Sequence, residues 1–271
     1  MRELSLDEVK QVQLNILKSV DKFCRENNIK YFLDFGTLLG AVRHKGYIPW
    51  DDDIDISMLR KDYERFLSEF NKDRNDSLYA LSHRIDPKYS LDFCKIHDSK
   101  TKVVDMDTYL KNQYNMGINI DLFPIDNVGS DKFNAYKLFK KTLFAQKVRY
   151  VQSYKMKLRK NIIKMGVLLI LKPISLLFPR DYCAKKMDKA ARTYENEESL
   201  YAACICQVEF EKHQVFEKSI FDEIVGLEFE GMKFPAPKNY DAILTAEYGD
   251  YMTPPPMAER KSLHDFKAYL R

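Results

Sequence analysis

An α+β fold, a mixed sheet flanked by helices with a basic helical lobe appended, follows from three observations on this 271-residue chain. Apolar residues fall at every second position in Ile54-Ile56-Met58 and Ile118-Ile120-Leu122, the period of a strand. Elsewhere they recur at three and four, the period of an amphipathic helix. Thirteen Lys and Arg residues with no Asp or Glu lie between Lys132 and Arg180, and the remaining 31 basic residues face 40 acidic ones, a balance of −9. The chain therefore reads as an acidic body carrying one basic region. The expected division is a core over residues 1–130, a basic helical lobe over 131–200 and a C-terminal segment, 201–271, that returns to the core.

Taken in order, Ser5 and Glu8 form a capping box, and Val9, Val12, Ile16, Val20 and Phe23 carry a helix to about Glu26, where Asn27-Asn28 stop it. Tyr31–Leu33 is a short strand. Gly36–Arg43 predicts a helix beginning at a glycine, whose first backbone N–H groups suit phosphate oxygens. A turn over Gly46–Pro49 leads through Trp50 into an acidic strand with Asp53 and Asp55 on one face, about 6–7 Å apart. Arg60–Asn71 is a helix. Residues 78–83 and 89–97 alternate weakly, as strands. Gly117–Phe123 is a strand ended by Pro124, and it carries Asp121 in an otherwise apolar run. From Asp131 to Lys160 the pattern is helical and basic. Residues 162–178 are apolar but interrupted by two lysines, a glycine and a proline. A helix over Arg180–Asn196, a hairpin over Val225–Phe234 and a helix over Lys238–Tyr248 closed by Gly249 complete the pattern. Pro254-Pro255-Pro256 is extended.

Composition sets limits. A 45% hydrophobic content is ordinary for a globular protein, and 17 Phe, 17 Tyr and one Trp make it aromatic. Five scattered cysteines predict free thiols in a reducing compartment. The polar first turn is unlike a signal peptide, and no stretch is apolar enough to span a bilayer. The expected location is cytoplasmic, peripheral at the inner face of the cell membrane. The basic region reads either as a solvated lobe or as a surface for anionic lipid. The apolar segment beside it reads either as an interfacial anchor or as a core helix pair broken at Pro173. No recognition motif supports nucleic-acid binding.

The chemistry concentrates at Asp51, Asp52, Asp53 and Asp55. Four like charges within five positions are costly unless a cation neutralises them. An EF-hand is excluded, since its glycine and its glutamate at the twelfth loop position are missing. A strand acid pair, a third acid at Asp121 and a glycine turn at Gly36-Thr37 fit two-metal phosphoryl or nucleotidyl transfer. Arg43 and Lys95 are candidate phosphate partners or simple salt-bridge residues. Trp50 could stack on a quaternary ammonium or be core. His264 could reach the site or lie in an exposed tail.

The blocks Gly36-Thr37-Leu38-Leu39-Gly40-Ala41-Val42-Arg43 and Gly46-Tyr47-Ile48-Pro49-Trp50-Asp51-Asp52-Asp53-Ile54-Asp55 closely resemble the LicD family of phosphorylcholine transferases. Asp121-Leu122-Phe123-Pro124-Ile125-Asp126 and Tyr248-Gly249-Asp250-Tyr251-Met252 are similar to that family too. No motif matches over residues 130–200. The resemblance implies a nucleotidyltransferase-like core, akin to fukutin-type transferases. It also implies transfer of phosphocholine from CDP-choline to a sugar hydroxyl of a teichoic acid-like glycopolymer or lipid-linked oligosaccharide precursor, with release of CMP. By position, Asp53, Asp55 and Asp121 would be catalytic and hold Mg²⁺ or Mn²⁺, with Asp121 also a base. Asp51 and Asp52 stand between metal binding and orienting Arg43. Gly36, Thr37, Arg43, Trp50, Lys95 and His264 would contact substrate. The alternatives are another CDP-linked phospho-alcohol donor, carrying ribitol or glycerol phosphate, a small-molecule nucleotidyltransferase, and a non-enzymatic membrane-bound scaffold.

Overall fold

The computed structural model describes residues 1–72, 76–105, 115–153, 162–206, 214–261 and 266–271. The fold is α+β. After a two-residue strand β1 (Arg2–Glu3), the helix α1 (Leu6–Glu26) begins with the expected capping box, Ser5 accepting from the Glu8 N–H and Glu8 from the Ser5 N–H. Its buried face, including Val9, Ile16, Leu17 and Val20, lies in the core. Strand β2 (Phe32–Leu33) leads to α2 (Phe35–His44). Phe35 has φ 44°, so right-handed helical backbone starts at Gly36.

The acidic stretch departs from the expected strand. Strand β3 covers Asp55–Leu59, and Asp51–Ile54 precede it as irregular chain. Ile54, Ile56 and Met58 are all buried as the alternation requires. Ser57 on the opposite face is buried too, because its hydroxyl donates to Asp34. Helix α3 (Arg60–Glu69) follows directly, then strands β4 (Leu78–Leu81), β5 (Cys94–Asp98) and β6 (Thr101–Asp105).

Strand β7 (Asn119–Gly129) runs straight through Pro124 instead of ending there. The pairing explains the tolerance. The Asp121 N–H donates to the Ile54 carbonyl on the β3 side, so every second nitrogen, including that of Pro124, turns to the other edge. There β5 pairs up to Leu122 and the next strand pairs from Asp126, leaving Pro124 in the gap where no donor is needed.

Helices α4 (Phe133–Ser153), α5 (Ile162–Ser175) and α6 (Tyr182–Ala191) form the following layer. Pro173 lies inside α5 and does not divide it into two helices. Strands β8 (Tyr201–Ala203) and β9 (Val215–Glu217) extend the sheet from the far half of β7. The hairpin β10 (Ile224–Phe229) and β11 (Met232–Pro237) turns at Glu230-Gly231, both with positive φ as a two-residue hairpin turn demands. Helix α7 (Tyr240–Tyr248) starts two residues later than expected and stops at Gly249. The chain ends in β12 (Phe266–Leu270).

The main sheet has the order β2-β3-β7-β5-β4, with β8 and β9 attached to β7. Only β3 and β7 run parallel in it among the described residues. A second sheet, β1-β12-β6, places the last strand between the first and a middle one. The largest core cluster joins α1, α2, β3, α3, β5, β7 and the β10–β11 hairpin. All five cysteines are buried and free.

Candidate active site

The site forms where β3 and β7 start side by side. Parallel pairing puts Asp55 in register with Asp121. Two further bonds fix the start of β3: the Asp34 N–H donates to the Asp55 carbonyl, and the Asp55 N–H donates to the Thr37 hydroxyl at 2.8 Å. Thr37, expected to contact phosphate, is thus buried and tied to the acidic strand. Its neighbour Gly36 has a steric role. A Cβ there would stand 2.8 Å from Asp51 Oδ2, so the bare glycine lets the Asp51 carboxylate approach the helix N-terminus.

Ahead of β3, carboxylate oxygens of Asp51, Asp52 and Asp53 lie within 4.8 Å of one another. Gln13 on α1 holds this segment against β7: its amide donates to the Asp52 carbonyl at 2.9 Å and to the Asn119 carbonyl at 3.3 Å. Asp55 is partly buried, and its carboxyl is pushed well above the usual range by desolvation and then by the charges of Asp53, Asp121 and Asp51. Lys95 acts in the other direction. Its ammonium pairs with Asp121 and donates to Asn119 Oδ1 at 3.1 Å, with the Phe93 ring 5.5 Å away. Lys95 stands opposite Asp121 on β5, so strand register makes this pair.

Acids that penalise each other's ionisation, all with hard oxygen donors, suit a divalent cation such as Mg²⁺ or Mn²⁺. The five expected aspartates are therefore brought together. Three of them, Asp52, Asp53 and Asp121, border a cavity of about 290 Å³ whose polar wall also includes Lys95 and Arg149. Leu91, Phe93, Met116 and Phe266 line its apolar side. Arg149 comes from α4 and pairs with the buried Asp92 at 3.1 Å.

The remaining expected residues divide. Arg43 sits in the last turn of α2, where Nη1 donates to the Tyr251 carbonyl at 2.7 Å and Nε to His44 Nε2 at 3.0 Å. Trp50 is partly buried, with the Arg260 guanidinium 5.2 Å from its ring centroid and the His44 ring edge-on at 6.2 Å. One aromatic face is therefore in use. His264 lies outside the described residues.

Several residues at the site carried no functional expectation. Asp34 caps α2 and accepts from Ser57, with both groups buried. Although 43% of Tyr248 is exposed, its phenol is pushed well up by desolvation and by the charges of Glu247, Asp55, Asp34 and Asp51. Gln13 had one visible sign in the sequence: a polar residue on a face otherwise filled by Val9, Ile16 and Val20.

Comparison with known proteins places the chain among relatives. The family described as LicD/FKTN/FKRP, nucleotidyltransferase domain, matches residues 28–156, which include Asp51–Asp55, Lys95 and Asp121. The lipopolysaccharide cholinephosphotransferase LicD of Haemophilus influenzae is 30% identical over 276 residues, spanning 100% of both chains. An uncharacterized protein of Rickettsia prowazekii, RP689, is 35% identical over 102 residues, 36% of this chain and 38% of its own. RT0683 of Rickettsia typhi, also uncharacterized, is 30% identical over 152 residues, 48% of each chain.

Proposed function

Because the chain belongs to the LicD family of phosphotransferases, we propose that it transfers phosphocholine from CDP-choline to a sugar hydroxyl of a cell-surface glycopolymer precursor, on a nucleotidyltransferase-like core at the cytoplasmic membrane face. The observation that carries this reading is the register pair Asp55–Asp121 beside the Asp51–Asp53 carboxylates, at the edge of a cavity able to take a substrate. Likeness over the full length to a cholinephosphotransferase supports the choice of choline.

The acceptor oxygen bonds to the phosphorus that carries choline. The bond from that phosphorus to the oxygen of the cytidylate breaks, and CMP departs. The acceptor proton passes to the Asp121 carboxylate, which Lys95 grips by Oδ1 and so orients. Asp53, Asp55 and Asp121, with Asp51 and Asp52 beside them, would hold Mg²⁺ or Mn²⁺, which when bound neutralises the donor diphosphate and the leaving CMP. Lys95 and Arg149 supply fixed positive charge on the cavity wall.

Asp53→Asn should cut CMP release from CDP-choline by at least about a hundredfold, the scale of losing one preorganised electrostatic contact. Its melting curve should match the wild type, and undiminished turnover would overturn the assignment. One observation keeps a second donor class in view. Arg260 lies over the ring of Trp50, the aromatic group expected to take choline. CDP-ribitol and CDP-glycerol belong in the same assay, and faster CMP release from either would reassign the donor while leaving the chemistry intact.

A further inference from the structure

Helix α5 turns an apolar face to solvent. Ile170 is 68% exposed, and Leu176 and Leu177 in the turn after it are 65% and 82% exposed. On α4, Phe144 is 60% exposed and its ring meets Phe178 edge-on at 5.8 Å, so the apolar surface continues from one helix to the next. The surface is anchored from behind. The Gln152 amide donates to the Ser175 carbonyl at 2.7 Å and to the Phe178 carbonyl at 3.0 Å, and Lys172 donates to the Gln152 carbonyl at 3.1 Å. Contiguous exposed side chains of this kind mark a contact surface.

Charge identifies the occupant. Lys140, Lys141, Lys147 and Arg180 are exposed, and the run from Lys132 to Arg180 holds thirteen basic residues and no acid. A second copy of this face would set like charge against like. A layer of anionic headgroups over acyl chains matches both the charge and the apolar side chains. Among the described residues no helix is long and apolar enough to cross a membrane, so the fitting mode is interfacial.

We propose that α5, the Leu176-Leu177 turn and the adjoining face of α4 form a docking surface for an anionic phospholipid membrane. The aliphatic side chains enter the acyl boundary, and the lysines meet the headgroups. Helix α4 also delivers Arg149 to the catalytic cavity, so docking sets that cavity at a fixed attitude to the lipid surface. A lipid-linked acceptor would then reach it from the membrane. This last point rests on the phosphocholine-transfer reading, whereas the docking surface does not.

The test is sedimentation of the full chain with vesicles of phosphatidylcholine alone or mixed with phosphatidylglycerol. The wild type should pellet with the mixed vesicles, far less with the neutral ones, and be released by added salt. Ile170→Ser combined with Leu177→Ser should lower partitioning by about tenfold or more, as expected for removing two inserted aliphatic groups. Lys140→Glu with Lys141→Glu should lower it in mixed vesicles only. Matching melting curves and unchanged CMP release from a soluble donor confirm that each variant is folded. Equal pelleting of wild type and the serine variant overturns the proposal, as does a wild type that ignores phosphatidylglycerol. A wild-type dimer in analytical ultracentrifugation that the serine variant splits gives the face to a second copy instead. Lack of CMP release with normal vesicle binding would defeat the choline reading and leave the docking surface standing.

Discussion

His97 shows how much one side chain can tie stability to pH. The Gly117 N–H donates to its Nδ1 at 3.3 Å, a bond that only the neutral ring can accept. Burial, followed by the charge of Arg271, pushes its pKa down to about 4. An unfolded chain takes up the proton near the ordinary histidine value, so between the two values the unfolded state binds more protons. The stabilising contribution is therefore complete above about pH 6.5 and is lost as the pH falls toward about 4. After discounting for partial exposure it amounts to roughly 1–2 kcal/mol. Urea denaturation of wild type and His97→Gln should show the wild type losing more stability between about pH 7 and about pH 5. Parallel losses in the two proteins would assign the pH dependence elsewhere. Asp55 is shifted the opposite way, with desolvation and neighbouring acids favouring its neutral form. The fold tolerates that cost at the position where a bound cation would remove it.

Between elements, Arg60 at the start of α3 makes a buried two-bond tie, paired with Asp126 on β7 through Nε at 2.6 Å and Nη2 at 2.9 Å. Its Nη1 also reaches Glu64 at 3.1 Å and Asp188 on α6 at 3.2 Å. Arg60→Ala leaves Asp126 buried and unpaired, which should cost about 3–5 kcal/mol. Arg60→Met with Asp126→Leu should recover most of the loss, because the burial cost of two charges disappears with the pair. Urea titrations of the three proteins decide it, and a single variant within about 1 kcal/mol of wild type would rule out the buried pair as a clamp. Asp126 was visible in the sequence as part of a recognisable block, but Arg60 was not. It reads there as one more charge opening a helix, and its partner is 66 positions away. The same limit separates what was legible from what was not. Helix α1 was readable because a capping box and a three-four spacing are local. The acid set was readable because four aspartates crowd one stretch. The Lys95–Asp121 pair and the passage of β7 through Pro124 depend on strand register, and the hold of Gln13 on Asp52 on how α1 packs against a distant segment; no local pattern specifies either.

At the scale of the molecule, β12 joins regions distant in sequence. It pairs with β1 on one side and β6 on the other, Ala268 packs with Val9 and Ile118, and Phe266 borders the cavity beside the aspartates. Ala268→Asp would bury a charge without a partner. A loss of about 3 kcal/mol, or a Tm lower by roughly 6–12 °C, is expected for a chain of this size. Differential scanning calorimetry measures it, and CMP release should fall as well because Phe266 is displaced. A Tm within about 1 °C of wild type would mean that this strand is not integral to the fold.

The parallel pairing of β3 with β7 also sets an order of events in folding. Bringing Asp55 beside Asp121 closes a loop of 66 residues, from 55 to 121, at an entropic cost of about 4 kcal/mol. The contacts meant to offset that cost begin with two carboxylates that repel each other. Helices α1 and α3 can form from neighbouring residues, while the acid pair must wait for distant strands to meet. A chain stalled before that meeting has most of its helices but has not yet set Asp55 beside Asp121. On the proposed reading, competence to bind a cation would arrive only with the complete sheet, and a partly folded copy would consume no donor.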